Sequence, residues 1–297
     1  MTPHPPSIVG SLKSFWSRGQ RADRLGYVVG AFLLLSGLIH LTILVSSGRS
    51  WQGPLSMRKP ATFGLSFGLT LITIVWVASF LRLGDRARRL LLVVFTAAST
   101  LETALVTLQA WRGVPSHFNL ETTFDGLVAR TLAAGGMALV VVILALTVAA
   151  FRANSEAPIS LRIALRFGFV VLVGAMVAGA LMIARGMILV VNGDPQAAYS
   201  TGGMLKPTHA VTMHAVLALP LVAWLVSFLN LTERRRVGIV LVAAAGYLAV
   251  VGVVVVANVG GIELRQTSQA LMIVFTVGVV LLLGIGLSTI VTPSRQQ

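Results

Sequence analysis

A chain of 297 residues that is 56% hydrophobic and only 11% charged lies outside the composition of soluble domains, where about a quarter of residues carry charge. It contains no cysteine, which excludes a disulfide, a thiolate metal site and a cysteine nucleophile. The formal net charge of +14 invites a nucleic-acid partner, but the positive residues are scattered in short polar stretches between long apolar ones, a distribution set by membrane topology that argues against nucleic acid.

Residues 1–26 are polar and basic, with Pro3, Pro5 and Pro6 near the start, and are expected to form a cytoplasmic tail that begins without regular structure. Eight apolar stretches follow, each near the ~20 residues a helix needs to cross hydrocarbon. They are Tyr27–Ser46, Ala61–Phe80, Leu90–Trp111, Gly126–Phe151, Ala164–Val191, Thr208–Leu229, Val237–Val256 and Ser268–Val291. The expected fold is an all-α integral membrane bundle of about eight transmembrane helices. One transmembrane domain covers residues 27–291, and residues 292–297 form a second cytoplasmic tail. Barrel strands would instead alternate over about 10 residues. The first span competes with a cleaved signal peptide. Its apolar core is too long and Val45-Ser46-Ser47 is a poor cleavage site, so it reads as an uncleaved anchor.

Lysine and arginine set the expected orientation. Fifteen lie on one side: Lys13, Arg18, Arg21 and Arg24; Arg82, Arg86, Arg88 and Arg89; Arg152, Arg162 and Arg166; Arg234, Arg235 and Arg236; and Arg295. Six lie on the other: Arg49, Arg58, Lys59, Arg112, Lys206 and Arg265. Both termini are therefore expected to be cytoplasmic, in the cytoplasmic membrane of a bacterium. The chain also hints at two four-helix repeats. Met57-Arg-Lys-Pro-Ala-Thr62 enters span two and Met204-Leu-Lys-Pro-Thr-His209 enters span six. Trp76 follows Lys59 by seventeen residues, and Trp224 follows Lys206 by eighteen. Repeats of four spans share one orientation and imply a pseudo-twofold axis along the membrane normal. The simpler explanation is that Lys-Pro starts an interfacial helix well, with proline at the first turn and a snorkelling lysine.

The candidate site residues share one depth. At about 1.5 Å of rise per residue, His40 in span one and His214 in span six both lie roughly 9 Å below the outer surface. Glu102, Arg130 and Arg185 fall in the same outer layer. Charge inside a bilayer costs about 2.5–3.5 kcal/mol per residue on insertion scales and normally faces the bundle interior in pairs. Glu102 is therefore expected to pair with Arg130 or Arg185, either as a structural lock or in a ligand cavity. His40 and His214, with His209 as a substitute, are the candidate ligands for a haem or a transition metal. A structural hydrogen bond is the competing role for each. His209 and His214 are five residues apart, so their rings diverge around the helix by about 140°. Thr62, Ser66, Thr70 and Thr73, with Gly64 and Gly68, read as helix-packing positions along span two.

The segment Gln109–Asp125, Gln-Ala-Trp-Arg-Gly-Val-Pro-Ser-His-Phe-Asn-Leu-Glu-Thr-Thr-Phe-Asp, breaks the apolar chain most sharply. Gln109, Arg112, His117 and Asn119, with Lys59 and Lys206 from neighbouring loops, complete the expected pocket. Asp125 before Gly126 is expected to cap span four. A Ser-His-Asp hydrolase lacks the Gly-x-Ser-x-Gly elbow.

Three stretches together resemble a set found in uncharacterised bacterial multi-pass membrane proteins. They are Arg58-Lys-Pro-Ala-Thr-Phe-Gly-Leu-Ser66, the Arg-Gly-x-x-Ser-His-Phe-Asn core of Gln109–Asp125, and Lys206-x2-His209-x4-His214 running to Pro220. The resemblance implies an eight-span bundle and transfers no activity or cofactor. Membrane b-type cytochromes and haem A synthases also pair histidines across helices, an analogy in which the motifs do not align. Three functions follow from the residues: a haem- or metal-binding redox protein with a redox partner at the outer face, a transporter or permease for a small anionic solute, or a membrane enzyme acting on a lipid head group. Against transport, the inner half of the bundle has no evident polar pathway.

Overall fold

The computed structural model of the protein describes residues 7–48, 50, 51, 53, 55–201 and 203–291. The prolines at positions 3, 5 and 6 and the tail 292–297 lie outside the described residues. Among those described, every regular element is helical. In chain order these are α1 (Ile8–Ser17), α2 (Arg21–Ser46), α3 (Arg58–Ala78), α4 (Asp85–Trp111), α5 (Thr123–Phe151), α6 (Ile159–Val191), α7 (Pro195–Thr201), α8 (Lys206–Met213), α9 (Ala215–Val226), α10 (Glu233–Val259) and α11 (Gln269–Val291). A single 3₁₀ turn covers Leu264–Gln266. Seven segments, with α8 and α9 counted as one, are long and apolar enough to cross a membrane. The helix α11 occupies the expected eighth position, with an apolar stretch over Gln269–Leu282. The protein is an all-α multi-pass membrane bundle.

Several helices start earlier than the apolar stretches suggest. The backbone N–H of Gln20 donates to Asp23 Oδ2 at 2.7 Å, so α2 opens on a reciprocal box in its charged first turn. Hydropathy marks where lipid begins, whereas backbone bonding carries the helix on into water. Within the N-terminal stretch, Ser7 caps the amphipathic helix α1 by accepting from Gly10 N at 3.0 Å. Ile8, Val9, Leu12 and Trp16 are exposed along one side, while Phe15 packs into the bundle.

The long helices pack as two groups with similar neighbours, except that α11 also touches α9 in the second. In the first, α2 touches α3 and α4, α3 touches α4, and α4 touches α5. In the second, α6 touches α8, α9 and α10, α10 touches α8 and α9, and α10 touches α11. The groups meet where α5 lies on α6 and where α3 lies on α9. Close approach depends on missing side chains. A Cβ on Gly64 would stand 2.6 Å from the Gly37 Cα, and one on Gly68 would stand 2.7 Å from the Gly30 carbonyl oxygen. This is small-residue packing between α2 and α3, as read for Gly64 and Gly68.

Span six is broken. It bends at His214, between α8 and α9, with Pro220 inside α9. The break leaves Val211 without a regular helical partner for its carbonyl, and the Tyr247 hydroxyl of α10 donates to that oxygen at 2.6 Å. Irregular backbone at membrane depth is tolerated where a neighbour satisfies it.

Candidate functional site

The site forms where α3 and α8, the two Lys-Pro helices, begin. Ser56 Oγ accepts from Arg58 N at 3.2 Å and starts α3. Asn258, near the end of α10, accepts from both Thr208 N at 3.2 Å and Thr208 Oγ1 at 2.8 Å in the first turn of α8. With those donors occupied, the chemistry left at the two helix starts belongs to side chains. Lys59 interacts electrostatically with Lys206 and Arg58, and with the Glu102 carboxyl below it. The Lys206 side chain lies back over Gly203, where a Cβ would meet its Nζ at 2.2 Å. Among the described residues, Arg58, Lys59 and Lys206 have no carboxylate at ion-pair distance. Three cations therefore share a corner with one acid at longer range. The fixed dipoles of two helix N-termini add to the positive potential.

His117 joins this corner from the Gln109–Asp125 loop. Its ring packs 5.8 Å from Phe63 of α3, and Nδ1 shares a 3.0 Å hydrogen bond with Ser116 Oγ. Burial holds the His117 imidazole well below the usual histidine range, and nearby Lys59 and Lys206 push it further down. It stands as a neutral donor and acceptor between two cations.

The rest of the loop is structural. Asp125 Oδ1 accepts from Gln109 Nε2 at 2.8 Å and from the Arg112 guanidinium at 2.5 Å, and Arg112 also donates to Gln109 Oε1. This triangle ties the end of α4 to the start of α5. Thr122, not Asp125, is the N-cap of α5: Thr122 Oγ1 accepts from Asp125 N at 3.1 Å and donates to Asp125 Oδ2 at 2.7 Å. Asp125 sits three residues in, its backbone N–H donating to the cap and its carboxylate accepting from the Thr122 hydroxyl. Asn119 is fully buried, and its Oδ1 accepts from Glu121 N at 3.1 Å. Gly113 turns the chain with a positive φ, and Phe118 adopts φ 66°, a region that non-glycine residues rarely enter. Its ring covers Gly186 of α6, where a Cβ would be 2.3 Å from Cζ. Gln109, Arg112 and Asn119 thus shape the loop that presents His117.

The expected partners of Glu102 are elsewhere. Among the described residues Glu102 makes no ion pair. Arg130 is exposed and folds back toward Gly126, at the end of its helix, as a snorkelling side chain does. Arg185 is exposed too and donates to Met204 Sδ at 2.8 Å. Equal depth placed these groups on one level without placing them on facing sides of their helices.

The histidines do not form the expected ligand pair. His40 is buried with both ring nitrogens engaged. Nδ1–H donates to the Ser36 carbonyl at 2.7 Å, and Nε2 accepts from Trp111 Nε1–H at 3.1 Å. No lone pair remains for a metal. The helix of His40, α2, packs on α3 and α4, whereas span six meets α3. His209 donates from Nδ1 to the Ala175 carbonyl of α6 at 2.7 Å, and His214 sits at the break with His209 as its interacting neighbour. Among the described residues no group of three or more His, Asp or Glu is placed to hold a metal ion. The tie of Trp111 to His40 shows in no short-range spacing. The Gly135-Gly136 pair opposite Glu102 was visible in the chain and signals a close approach.

No family model, curated protein or solved structure matches this chain. The site is therefore read from its own geometry. A corner with three cations, one deeper acid and a neutral imidazole hydrogen-bonded to Ser116 can bind an anion.

Proposed function

We propose that this protein is a transporter or permease for a small anionic solute, in the cytoplasmic membrane of a bacterium, with both termini cytoplasmic and the Lys59 corner facing outward. The bacterial multi-pass proteins that its motifs resemble are its proposed kin. The observation that carries the reading is the meeting of Arg58, Lys59 and Lys206 with no carboxylate at ion-pair distance. Like charges gathered in a half-buried corner repel strongly where the effective dielectric falls, and a bound anion relieves them. The lysines start helices from the two packing groups, and the positive ends of those helix dipoles favour an anion there. The break at His214 in one of these helices provides a bend between the two groups. A redox role has less support, because the His40 ring nitrogens are both engaged.

The test is anion binding by the purified protein in a zwitterionic detergent, measured by calorimetry with chloride, sulfate, phosphate and acetate, and with a short-chain phosphatidic acid as the lipid arm. Binding of a free anion, weakened at least about tenfold by Lys59→Gln or Lys206→Gln, and uptake of that anion into proteoliposomes are expected. Binding of the lipid alone would assign the corner to a head group. A wild-type protein that binds none of them removes the reading.

A further inference from the structure

Below the anion corner is a buried acid that binding alone does not require. Glu102 is 4% exposed and Ser99, one turn away on the same face of α4, is 0% exposed. Glu102 Oε1 and Ser99 Oγ both lack a hydrogen-bond partner among the described residues. The carboxyl fills a notch in α5 where Gly135 has no side chain: a Cβ there would be 2.8 Å from Oε1, and one on Gly136 would be 3.9 Å away. A buried acceptor without a donor is costly, and an ionised one much more so. Two such oxygens one turn apart, held open by paired glycines, make a place for an exchangeable proton.

The charged and titratable groups around Glu102 narrow the chemistry. From α2, His40 has both nitrogens engaged. From α3, Lys59 is the cation that acts on Glu102, with Arg58 beside Lys59. From α5, Arg130 is exposed and Asp125 is held by Gln109, Thr122 and Arg112. His117 and Lys206 reach Lys59 from the loop and from α8.

We propose that Glu102 is the proton site of an anion–proton symporter, coupled to the anion corner through Lys59; this rests on the anion-transport reading. Lys59 is the cation shared by two negative charges. With the corner empty, it compensates the Glu102 carboxylate. When an anion takes Lys59, the carboxylate loses that compensation and takes one proton from solvent on Oε1. One negative charge enters with one proton, and the buried charge is unchanged. Release of the anion returns Lys59 to Glu102 and expels the proton. Binding linkage is reciprocal, so protonation of Glu102 tightens anion binding by the same factor that the anion favours protonation.

The experiment is calorimetric titration of the full-length protein with chloride and with sulfate, which do not themselves titrate near neutrality, across pH and in buffers of different ionisation enthalpy. Wild type should take up close to one proton per anion, and its affinity should fall by up to tenfold per pH unit as pH rises. Glu102→Gln keeps the side-chain shape and should bind the anion as well as wild type or better, with no proton uptake and a flat pH profile. His117→Asn should leave the proton uptake in place. Proton uptake per bound anion that survives in Glu102→Gln, or that vanishes from a His117→Asn protein that still binds the anion, overturns the proposal. If the wild type binds neither chloride nor sulfate, the transport reading is decided by the wider anion set above, and Glu102 is judged separately by infrared pH-difference spectra. A buried carboxylic C=O band absent from Glu102→Gln supports the proton site, and its absence from wild type removes it.

Discussion

The two ends of the α3 and α8–α9 pair behave in opposite ways. At one end Lys59 and Lys206 meet as like charges. At the other, Trp76 and Trp224 meet as rings, with centroids 6.0 Å apart and planes at 83°. Around the tryptophans Phe15 of α1 contacts Trp76, Phe80 and Trp224 at 6.5, 5.7 and 6.3 Å, and Phe228 lies 4.9 Å from Trp224. Each edge-to-face pair adds about 0.5–1.5 kcal/mol beyond the area it buries. One end is closed by packing, and at the other the cations meet with no carboxylate at ion-pair distance among the described residues. The aromatic end also bears on the missing polar pathway: it is a seal, and α1 supplies one of its rings.

The most damaging way to break this contrast is to remove the seal. Trp76→Ala should cost about 3–5 kcal/mol, the usual range for a buried tryptophan, seen as a lower melting temperature in detergent. Anion affinity should hold if the ends are independent, and a parallel loss of affinity would show that the seal also sets the distance between the lysines. Phe15→Ala should have a smaller effect, about 1–2 kcal/mol, because Phe15 is half-buried and arrives on a surface helix. Protease sensitivity within residues 7–20 should rise in that variant; an unchanged digest would mean that α1 is held by lipid alone.

Lys206→Gln sharpens the contrast from the other end. It leaves Lys59 to serve Glu102 and removes one member of the repelling set. The anion-free protein should therefore melt higher by about 1 kcal/mol or less, whereas the loss of most surface charges is neutral. A lower melting temperature would show that the lysines are not under mutual strain. The smallest effect concerns His117. Its folded value lies well below the unfolded value near 6.5, so the unfolded chain binds the extra proton between the two. The stability due to a neutral His117 is fully present above about pH 6.5 and is lost as pH falls below it. His117→Asn should flatten that slope in a pH series of melting curves.

The spans were readable because the bilayer demands long apolar runs, and each expected segment overlaps an observed helix. The importance of Gln109–Asp125 was readable because polar residues are rare elsewhere. The α1 helix was obscured by basic residues and prolines, although Ile8, Leu12 and Trp16 recur every four positions, a helical spacing. The break in span six was signalled by Pro220, which lies six residues beyond His214 and weakens the preceding turn.

Amino-acid order alone determined which segments are long and apolar enough to enter lipid and that Lys59 and Lys206 start separate helices, because hydrophobicity and helix spacing are properties of the chain. Only the tertiary structure decided which groups at one depth meet. It turned Arg130 and Arg185 outward, gave the His40 ring to Trp111 and Ser36, and set Glu102 against a glycine notch. Those outcomes depend on the rotation of each helix about its own axis, which is fixed by how neighbouring surfaces pack.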